Sequence, residues 1–232
     1  MEPHTPEPIP PQAPARERAS RIPGFDAEAT PLLSLGIGLT GLALGLKPRF
    51  APVPLALTAL AAALYRDPER ATPPDPQAIF AHADGVILQI DDVYEHRFLH
   101  TDCVRVVVSV SPVDVPICRS PAAGIVRYMA HVPGEYRPAT DSEAAERNER
   151  LYLGIETPWG PLLIVQIAGP LGRRIVPKVV LGDTVAAGTR LGTVRFGSRA
   201  DLYLQRDVAH LLITSGQHLA GGVSRIGGLA TL

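Results

Sequence analysis

The sequence predicts a mainly β protein, folded as a β-sandwich or barrel and preceded by an apolar helical hairpin. From about Ile79 onward, short runs rich in valine, isoleucine and tyrosine alternate with breaks of glycine, proline and aspartate. The runs recur at roughly 8 to 12 residues, a spacing typical of all-β sandwiches and barrels. Before them lie two longer apolar runs, 31–46 and 51–65, which predict the two helices of the hairpin.

Two stretches of the β region, 179–194 and 211–229, are similar to one another. Each contains a strand, a glycine turn, a short apolar piece, a second glycine and another strand. This order resembles the half-motif of biotinyl and lipoyl carrier domains, a small β-hammerhead. The modified lysine of such a carrier would occupy a tight, exposed turn, whereas Lys178 follows Pro177 inside a β run. The sequence therefore disfavours a carrier domain.

Residues 1–24 contain proline and charge but almost no large apolar side chains. Such a segment cannot bury enough surface to offset the entropy lost on ordering, so it is predicted to be a disordered tail. Glu2, Glu7 and several prolines precede the first apolar run. This is the reverse of the basic n-region and apolar h-region of a signal peptide.

Residues 25–66 are predicted to form a membrane-associated helical hairpin. Each apolar run is shorter than the ~20 residues that cross a bilayer core, and neither has the polar face of a soluble helix. Basic residues flank the runs on every side, so they give no topological asymmetry. A hairpin that dips into one leaflet of the cell membrane fits these features, as a peripheral or monotopic protein. A pair of buried core helices in a soluble domain is the alternative.

Composition limits the remaining classes of function. The net charge is −1, and no basic stripe with interleaved aromatic residues indicates nucleic acid binding. The two cysteines, Cys103 and Cys118, are too few for a disulfide framework, which indicates a reducing compartment. They are also too far apart in sequence to predict a metal-ligand pair, and no metal site is expected.

Six separate blocks of the sequence, taken in order, resemble the phosphatidylserine decarboxylase proenzymes, in particular their short form. The blocks are YRDPER (65–70), HADGVI (82–87), VSVSPVDVPICRSPAAGIV (108–126), NER (148–150), QIAG (166–169) with RRI (173–175), and GTRLGTVRFGSRADLYL (188–204). Each block alone is weak evidence, but six in the same order identify the chain as a member of this family. Residues 67–232 would then form a pyruvoyl-dependent decarboxylase domain on the cytoplasmic side of the membrane.

The resemblance implies that the chain cuts itself between Gly197 and Ser198. The products would be a β chain that ends at residue 197 and an α chain that begins with a pyruvoyl group made from Ser198. The residue types suit this chemistry, since glycine leaves its carbonyl open to attack and tolerates a strained backbone. The Ser198 hydroxyl can attack that carbonyl through a five-membered ring, and the resulting ester can eliminate to dehydroalanine and hydrolyse to the pyruvoyl group.

A pyruvoyl carbonyl condenses with a substrate amine as a Schiff base and accepts electrons as CO2 leaves. Together with the predicted hairpin, the resemblance implies that a membrane phospholipid, phosphatidylserine, is converted to phosphatidylethanolamine. Two alternatives stay open at this point: a relative that decarboxylates another amino-headed lipid, and a non-catalytic hammerhead scaffold. A homo-oligomer is also left open.

The resemblance assigns proton chemistry to Asp84, which matches the family's catalytic aspartate in its Ala-Asp-Gly motif. That carboxylate is expected to orient or charge a histidine. Short members generally have Asp-Val-His where this chain has Asp114-Val115-Pro116, so the expected proton carrier is missing. His82 stands where the family usually has proline and is therefore a candidate catalytic residue. His100 and His131 are weaker candidates.

Arginines of the matched blocks are candidates for binding the lipid phosphodiester, because a guanidinium makes paired hydrogen bonds to such a group. Head-group binding is expected of one or two of the six arginines in these blocks, with Arg119, Arg195 and Arg199 as the named candidates. The other three are Arg150, Arg173 and Arg174. Several arginines can instead be solvated or paired with acidic residues such as Glu149 and Asp201.

Overall fold

The computed structural model describes residues 22–26, 28–138, 140–141, 143–171, 174–194 and 198–229, with the backbone alone for Ser198. The predicted disordered tail, 1–24, lies outside these residues up to position 21. The chain divides into two compact units, which separate between Glu69 and Arg70. The predicted domain boundary, after residue 66, lies near this division.

The N-terminal unit contains two apolar helices, α1 (Ala29–Leu46) and α2 (Pro52–Leu64), joined by a 3-10 turn at Pro48–Phe50. A Cβ atom at Gly36 would lie 2.1 Å from the Thr58 hydroxyl oxygen, so glycine permits the helices to approach closely. The predicted apolar helices are confirmed. In the part of the chain that the structure describes, α1 is the one helix long and apolar enough to cross a membrane.

Most large apolar side chains of the two helices are exposed. They are Leu32, Leu35, Ile37, Leu39, Leu42, Leu44, Leu46, Val53, Leu55, Leu57 and Leu60. Among the residues described, only Ala29 and Leu33 of α1 are buried, and α2 buries none. The helices therefore present apolar surface that water solvates poorly.

The second unit is mainly β, which confirms the predicted fold class. It contains one short helix, α3 (Ala144–Arg147). Its strands are β1 (Ala78–Phe80), β2 (Gly85–Glu95), β3 (Thr101–Val110), β4 (Ile117–Arg119), β5 (Gly124–Val132), β6 (Arg150–Thr157), β7 (Gly160–Ile167), β8 (Ile175–Pro177), β9 (Thr184–Val185), β10 (Arg190–Val194), β11 (Ser198–Gln205), β12 (Ala209–Leu211), β13 (His218–Leu219) and β14 (Arg225–Leu229).

An eight-stranded antiparallel sheet organises this unit, in the order β13-β2-β3-β11-β7-β6-β5-β9. Two three-stranded sheets, β1-β14-β12 and β4-β10-β8, complete it. Side chains of a strand alternate between two faces. Along β11, Ala200, Leu202 and Leu204 belong to the main core, while Tyr203 packs against a second apolar cluster. Strand β11 is therefore buried on both faces, between β3 and β7.

The two similar stretches of the sequence fold in the same way. Each forms a two-residue strand, a glycine turn and a five-residue strand: β9 and β10 in the first, β13 and β14 in the second. Positive φ angles occur at Gly182 and Gly188 in the first stretch and at Gly216 and Gly222 in the second. Glycine adopts this left-handed backbone without the steric cost that a Cβ atom brings. The predicted hammerhead half-motifs are thus present as a pair.

Candidate active site

Ser198 is the first residue of β11, at one end of the central sheet. Its backbone pairs with Val110, the last residue of β3, and the next residue, Arg199, pairs with Ile167 of β7. A narrow cleft, partly open to solvent, borders this end of the strands. Its lining is formed by Ala83, Val110, Val115, Pro116, Ile117, Cys118, Gln166, Val194, Arg199 and Ala200. Gly197 and Arg195, both predicted site residues, lie outside the described residues.

Asp84 is held at this site by a buried ion pair. Arg70 Nη1 and Nη2 donate to Asp84 Oδ1 and Oδ2 at 2.5 and 2.7 Å. Arg70 Nη1 also donates to the Gly221 carbonyl (2.7 Å), and the Gly221 N–H donates to Asp84 Oδ1 (2.8 Å). Two of the family-like blocks and the turn of the second repeat therefore meet at one carboxylate. Asp84 was predicted to orient a histidine, and its partner Arg70 was not predicted from the sequence.

The residue after Asp84 has to be glycine. Gly85 has a φ of +136°, and a Cβ atom there would lie 2.0 Å from the Ser109 carbonyl oxygen of β3. A side chain would be both strained and in collision with backbone. The close approach fixes the start of β2 against β3, and with it the direction of the Asp84 side chain.

His82 lies wholly buried beside β11. Its Nε2 is 3.1 Å from the Ala200 carbonyl oxygen. Because a carbonyl can only accept, Nε2 carries the hydrogen in the neutral ring, and Nδ1 has the free lone pair. Nδ1 is buried and has no hydrogen-bond partner among the described residues. Burial lowers the pKa of His82 to about 4, so the ring is uncharged at neutral pH.

The burial of His82 predicts a loss of stability in mild acid. Its pKa is about 4 in the folded chain and 6.5 ordinarily, so between these values the unfolded state binds a proton that the folded state does not. The free energy of unfolding should fall by roughly 2 to 3 kcal/mol between pH 7 and pH 4.5 through this residue. Urea unfolding in mild detergent at both pH values measures the change.

The variant His82→Gln should lose this part of the pH dependence, because glutamine does not titrate. The matched control His100→Gln, at an exposed position, should keep the full dependence. Equal pH dependence in His82→Gln and the parent chain would show that His82 does not stay neutral when folded.

Pro116, where the family-like pattern expects histidine, lines the cleft, and its carbonyl accepts the Val194 N–H at 3.0 Å. The structure brings a different histidine to this loop: His218 Nε2, on β13, lies 3.4 Å from Asp114 Oδ1. No local signal could have revealed it, since about a hundred residues separate the two side chains. His218 is 62% exposed, in contrast to the buried His82.

The remaining candidate histidines have other contacts. His131 Nε2 lies 2.9 Å from Glu149 Oε1, and the Tyr136 hydroxyl donates to Glu149 Oε2 at 2.9 Å. The His100 carbonyl accepts from the Tyr94 hydroxyl at 2.9 Å. These contacts belong to a partly buried hydrogen bond and a turn, and neither residue is among those that line the cleft.

Arg119 and Arg199 are both buried, in different surroundings. Arg119 Nη1 donates to the Gly188 carbonyl at 3.1 Å, and its side chain lies against Gly222. Arg119 thus lies between the glycine turns of the two similar stretches, 179–194 and 211–229. Arg199 makes a paired contact with Asp201, at 2.7 and 2.8 Å. Burial raises the pKa of Asp201, and the Arg199 guanidinium opposes that rise. Both contacts favour structural roles, and head-group binding by these arginines stays a prediction.

Comparison with known proteins identifies the family. The model of a family described as phosphatidylserine decarboxylase matches residues 57–227, well over half of the chain. The chain belongs to the phosphatidylserine decarboxylase family. This confirms the resemblance found in the sequence. The matched segment contains Arg70, Asp84, His82 and Ser198, so the site described above lies wholly within the part of the chain shared with the decarboxylase family.

Several curated relatives carry the name phosphatidylserine decarboxylase proenzyme. The protein of Symbiobacterium thermophilum is 36% identical over 210 residues, which cover 90% of this chain and 97% of the relative. That of Carboxydothermus hydrogenoformans is 39% identical over 163 residues, 70% of this chain and 76% of the relative. That of Erythrobacter litoralis is 40% identical over 182 residues, 72% and 73% of the two chains.

Proposed function

We propose that the chain cleaves itself between Gly197 and Ser198, converts Ser198 into a pyruvoyl group, and then converts phosphatidylserine to phosphatidylethanolamine at a membrane. Membership of a family of decarboxylase proenzymes supports the reaction. One observation supports Ser198 as the residue that forms the pyruvoyl group. Ser198 is the first residue of a buried strand and lies beside a cleft.

The chain's own residues suit the maturation step. Attack of the Ser198 hydroxyl on the Gly197 carbonyl requires an acceptor for the hydroxyl proton. His82 is neutral at pH 7, its Nε2 is fixed on the Ala200 carbonyl, and its Nδ1 lone pair is unused in the described structure. We assign His82 as this acceptor, in place of the histidine that Pro116 replaces. Elimination of the ester then releases the Gly197 carboxylate, and hydrolysis releases ammonia.

Asp84 is proposed to act in the same step, by fixing the loop that carries His82. The two residues are separated by Ala83 alone, and the Arg70 ion pair holds the Asp84 carboxylate in one place. The Arg119 N–H donates to the His82 carbonyl at 2.7 Å and fixes the loop from its other side. Such support around a reacting group limits the motion that would slow a proton transfer.

After maturation, the pyruvoyl group would supply an electrophilic carbonyl that takes up electrons as CO2 leaves. The cleft beside Ser198 has apolar walls at Val110, Val115 and Ile117. Such walls exclude water from the charge that develops during decarboxylation. The residues present therefore fit a pyruvoyl group at position 198.

The exposed leucines of α1 and α2 support a lipid substrate. Their apolar surface is better accommodated in a bilayer than in water, and α1 is long enough to span its core. We propose that the helices hold the chain at the cell membrane, with the decarboxylase domain in the cytoplasm, where lipid head groups are within reach.

The test uses the full chain purified in detergent and mixed with vesicles that contain phosphatidylserine. We expect equal amounts of CO2 and phosphatidylethanolamine, together with an α chain whose N-terminus is blocked by a pyruvoyl group in mass spectrometry. Turnover of another amino-headed lipid, with phosphatidylserine left intact, would replace the substrate assignment. An intact 24.7 kDa chain without turnover would support a non-catalytic scaffold.

A further inference from the structure

The cleft beside Ser198 contains a buried amide that lacks a hydrogen-bond partner in the described structure. Gln166, near the end of β7, lines the cleft and is 0% exposed. Neither its Oε1 nor its Nε2 is paired with any described residue. Leaving a buried polar group unpaired costs about 1–3 kcal/mol. Such a cost points to a ligand that pairs with the amide when the cleft is filled.

The register of the central sheet places Gln166 next to the reacting position. Gln166 pairs across the strands with Ala200, whose carbonyl accepts from His82. Ser198 lies two residues before Ala200 on the same strand, a separation of about 7 Å along an extended chain. The amide therefore borders the space where a carbonyl at position 198 meets its substrate.

A glycine on a second strand makes room for this amide. A Cβ atom at Gly192 of β10 would lie 2.7 Å from both Nε2 and Oε1 of Gln166. Any larger residue would displace the amide or its strand. Two elements distant in sequence thus combine to place one uncharged hydrogen-bonding group at the cleft.

We infer that the Gln166 amide binds the α-carboxylate of the serine head group through Nε2–H and so distinguishes the substrate from its decarboxylated product. The inference rests on the proposed function. In phosphatidylserine the carboxylate and the reacting amine share one carbon atom, so the carboxylate must lie close to position 198. The phosphorus atom is three bonds further along the head group, which places the phosphate towards the mouth of the cleft.

An uncharged donor suits a carboxylate that has to leave as CO2. A full positive charge would stabilise the carboxylate more than the transition state, in which that charge moves away, and would oppose the reaction. Arg199 also borders the cleft, but Asp201 holds its guanidinium in a buried pair. The amide can orient the carboxylate with a smaller stabilisation of the ground state.

The experiment compares the processed enzyme with its Gln166→Met variant, which has a side chain of similar length. Binding is measured by calorimetry with two unreactive short-chain lipids. One is dihexanoyl phosphatidylglycerate, in which a hydroxyl group replaces the serine amine. The other is dihexanoyl phosphatidylglycol, which lacks the carboxylate as well. We expect Gln166→Met to weaken binding of the first lipid about tenfold or more, and to leave binding of the second unchanged.

Self-cleavage of Gln166→Met, followed by mass spectrometry, should be as complete as in the parent chain, and the KM for phosphatidylserine should rise more than kcat falls. Gly192→Ala keeps the Gln166 amide but displaces it. It should therefore also weaken binding of the phosphatidylglycerate lipid and leave binding of the phosphatidylglycol lipid unchanged. If Gln166→Met does not fold, Gly192→Ala provides the test. Thr193→Val, at a buried hydroxyl on the same strand, is the matched control with parental binding.

Unchanged affinity for both lipids, or a folded Gln166→Met chain that stays uncleaved, would overturn the assignment of Gln166 to the substrate carboxylate. Failure of the proposed function would look different, because the parent chain itself would then remain uncleaved or fail to turn over phosphatidylserine.

Discussion

A chain that carries Ser198→Ala is expected to remain a single polypeptide of 24.7 kDa, whereas the parent chain is expected to separate into residues 1–197 and 198–232. The substitution removes the hydroxyl proposed to attack the Gly197 carbonyl. Without it no ester can form, and the elimination that leads to the pyruvoyl group cannot follow. Decarboxylase activity should fall to background, a loss larger than for any other single substitution proposed for this chain. Intact-mass spectrometry and a CO2-release assay measure the two effects.

Ser109→Ala is the matched control, since Ser109 lies on β3 directly opposite Arg199 and one position from the partner of Ser198. It should be cleaved and active like the parent. Two fragments from the Ser198→Ala chain, or retained activity, would contradict both the scissile bond and the origin of the pyruvoyl group.

Loss of the Arg70 side chain should cause the largest destabilisation. Arg70→Met leaves the Asp84 carboxylate buried without its charged partner, and breaking a buried pair in this way costs about 3–5 kcal/mol. The Arg70 and Asp84 side chains are only 13% and 9% exposed, so water cannot replace the guanidinium. Urea unfolding in detergent, in a Ser198→Ala background that keeps the chain in one piece, measures the change. In the cleavable chain, the same substitution should slow processing.

An exposed ion pair provides the control. Arg206 contacts Asp92 at 2.8 Å, but the two side chains are 48% and 59% exposed. Arg206→Met should therefore cost less than about 1 kcal/mol. The double variant Arg70→Met, Asp84→Leu should regain part of the lost stability, because no buried charge remains, yet it should not regain processing. Equal destabilisation by the two arginine substitutions would show that the Asp84 pair is solvated.

Much of the fold was predictable because its signals are local. Short β runs, paired glycine turns and two apolar runs each indicate their own structure, and glycines such as Gly182 and Gly216 occur at equivalent positions of both repeats. The partners of the site residues are not local. Arg70 reaches Asp84 across 14 residues and Gly221 across 137 residues. His218 is brought to Asp114 by the pairing of β13 with β2.

The type of a residue also predicts its role less well than its surroundings in the folded chain do. Arg119 and Arg199 have the chemistry to bind a phosphate, but the sequence does not reveal that one lies between two turns and the other is paired with Asp201. Gln166 belongs to a family-like block, yet only the folded chain shows that its amide is buried and unpaired in the described structure. Hydrogen bonding depends on which groups meet, and that is decided by the sheet register.

The central position of β11 has a consequence for the two products of the proposed cleavage. The segment that begins at Ser198 contributes four strands, β11 to β14, to two of the three sheets, and β11 is flanked on both sides. The small fragment is thus interwoven with the large one and cannot depart without dismantling the core. Cleavage would therefore be irreversible. A small fragment released by unfolding would have to reassociate with the large one, and the peptide bond between them would not form again. Each molecule would make its prosthetic group once and keep it for as long as it stays folded.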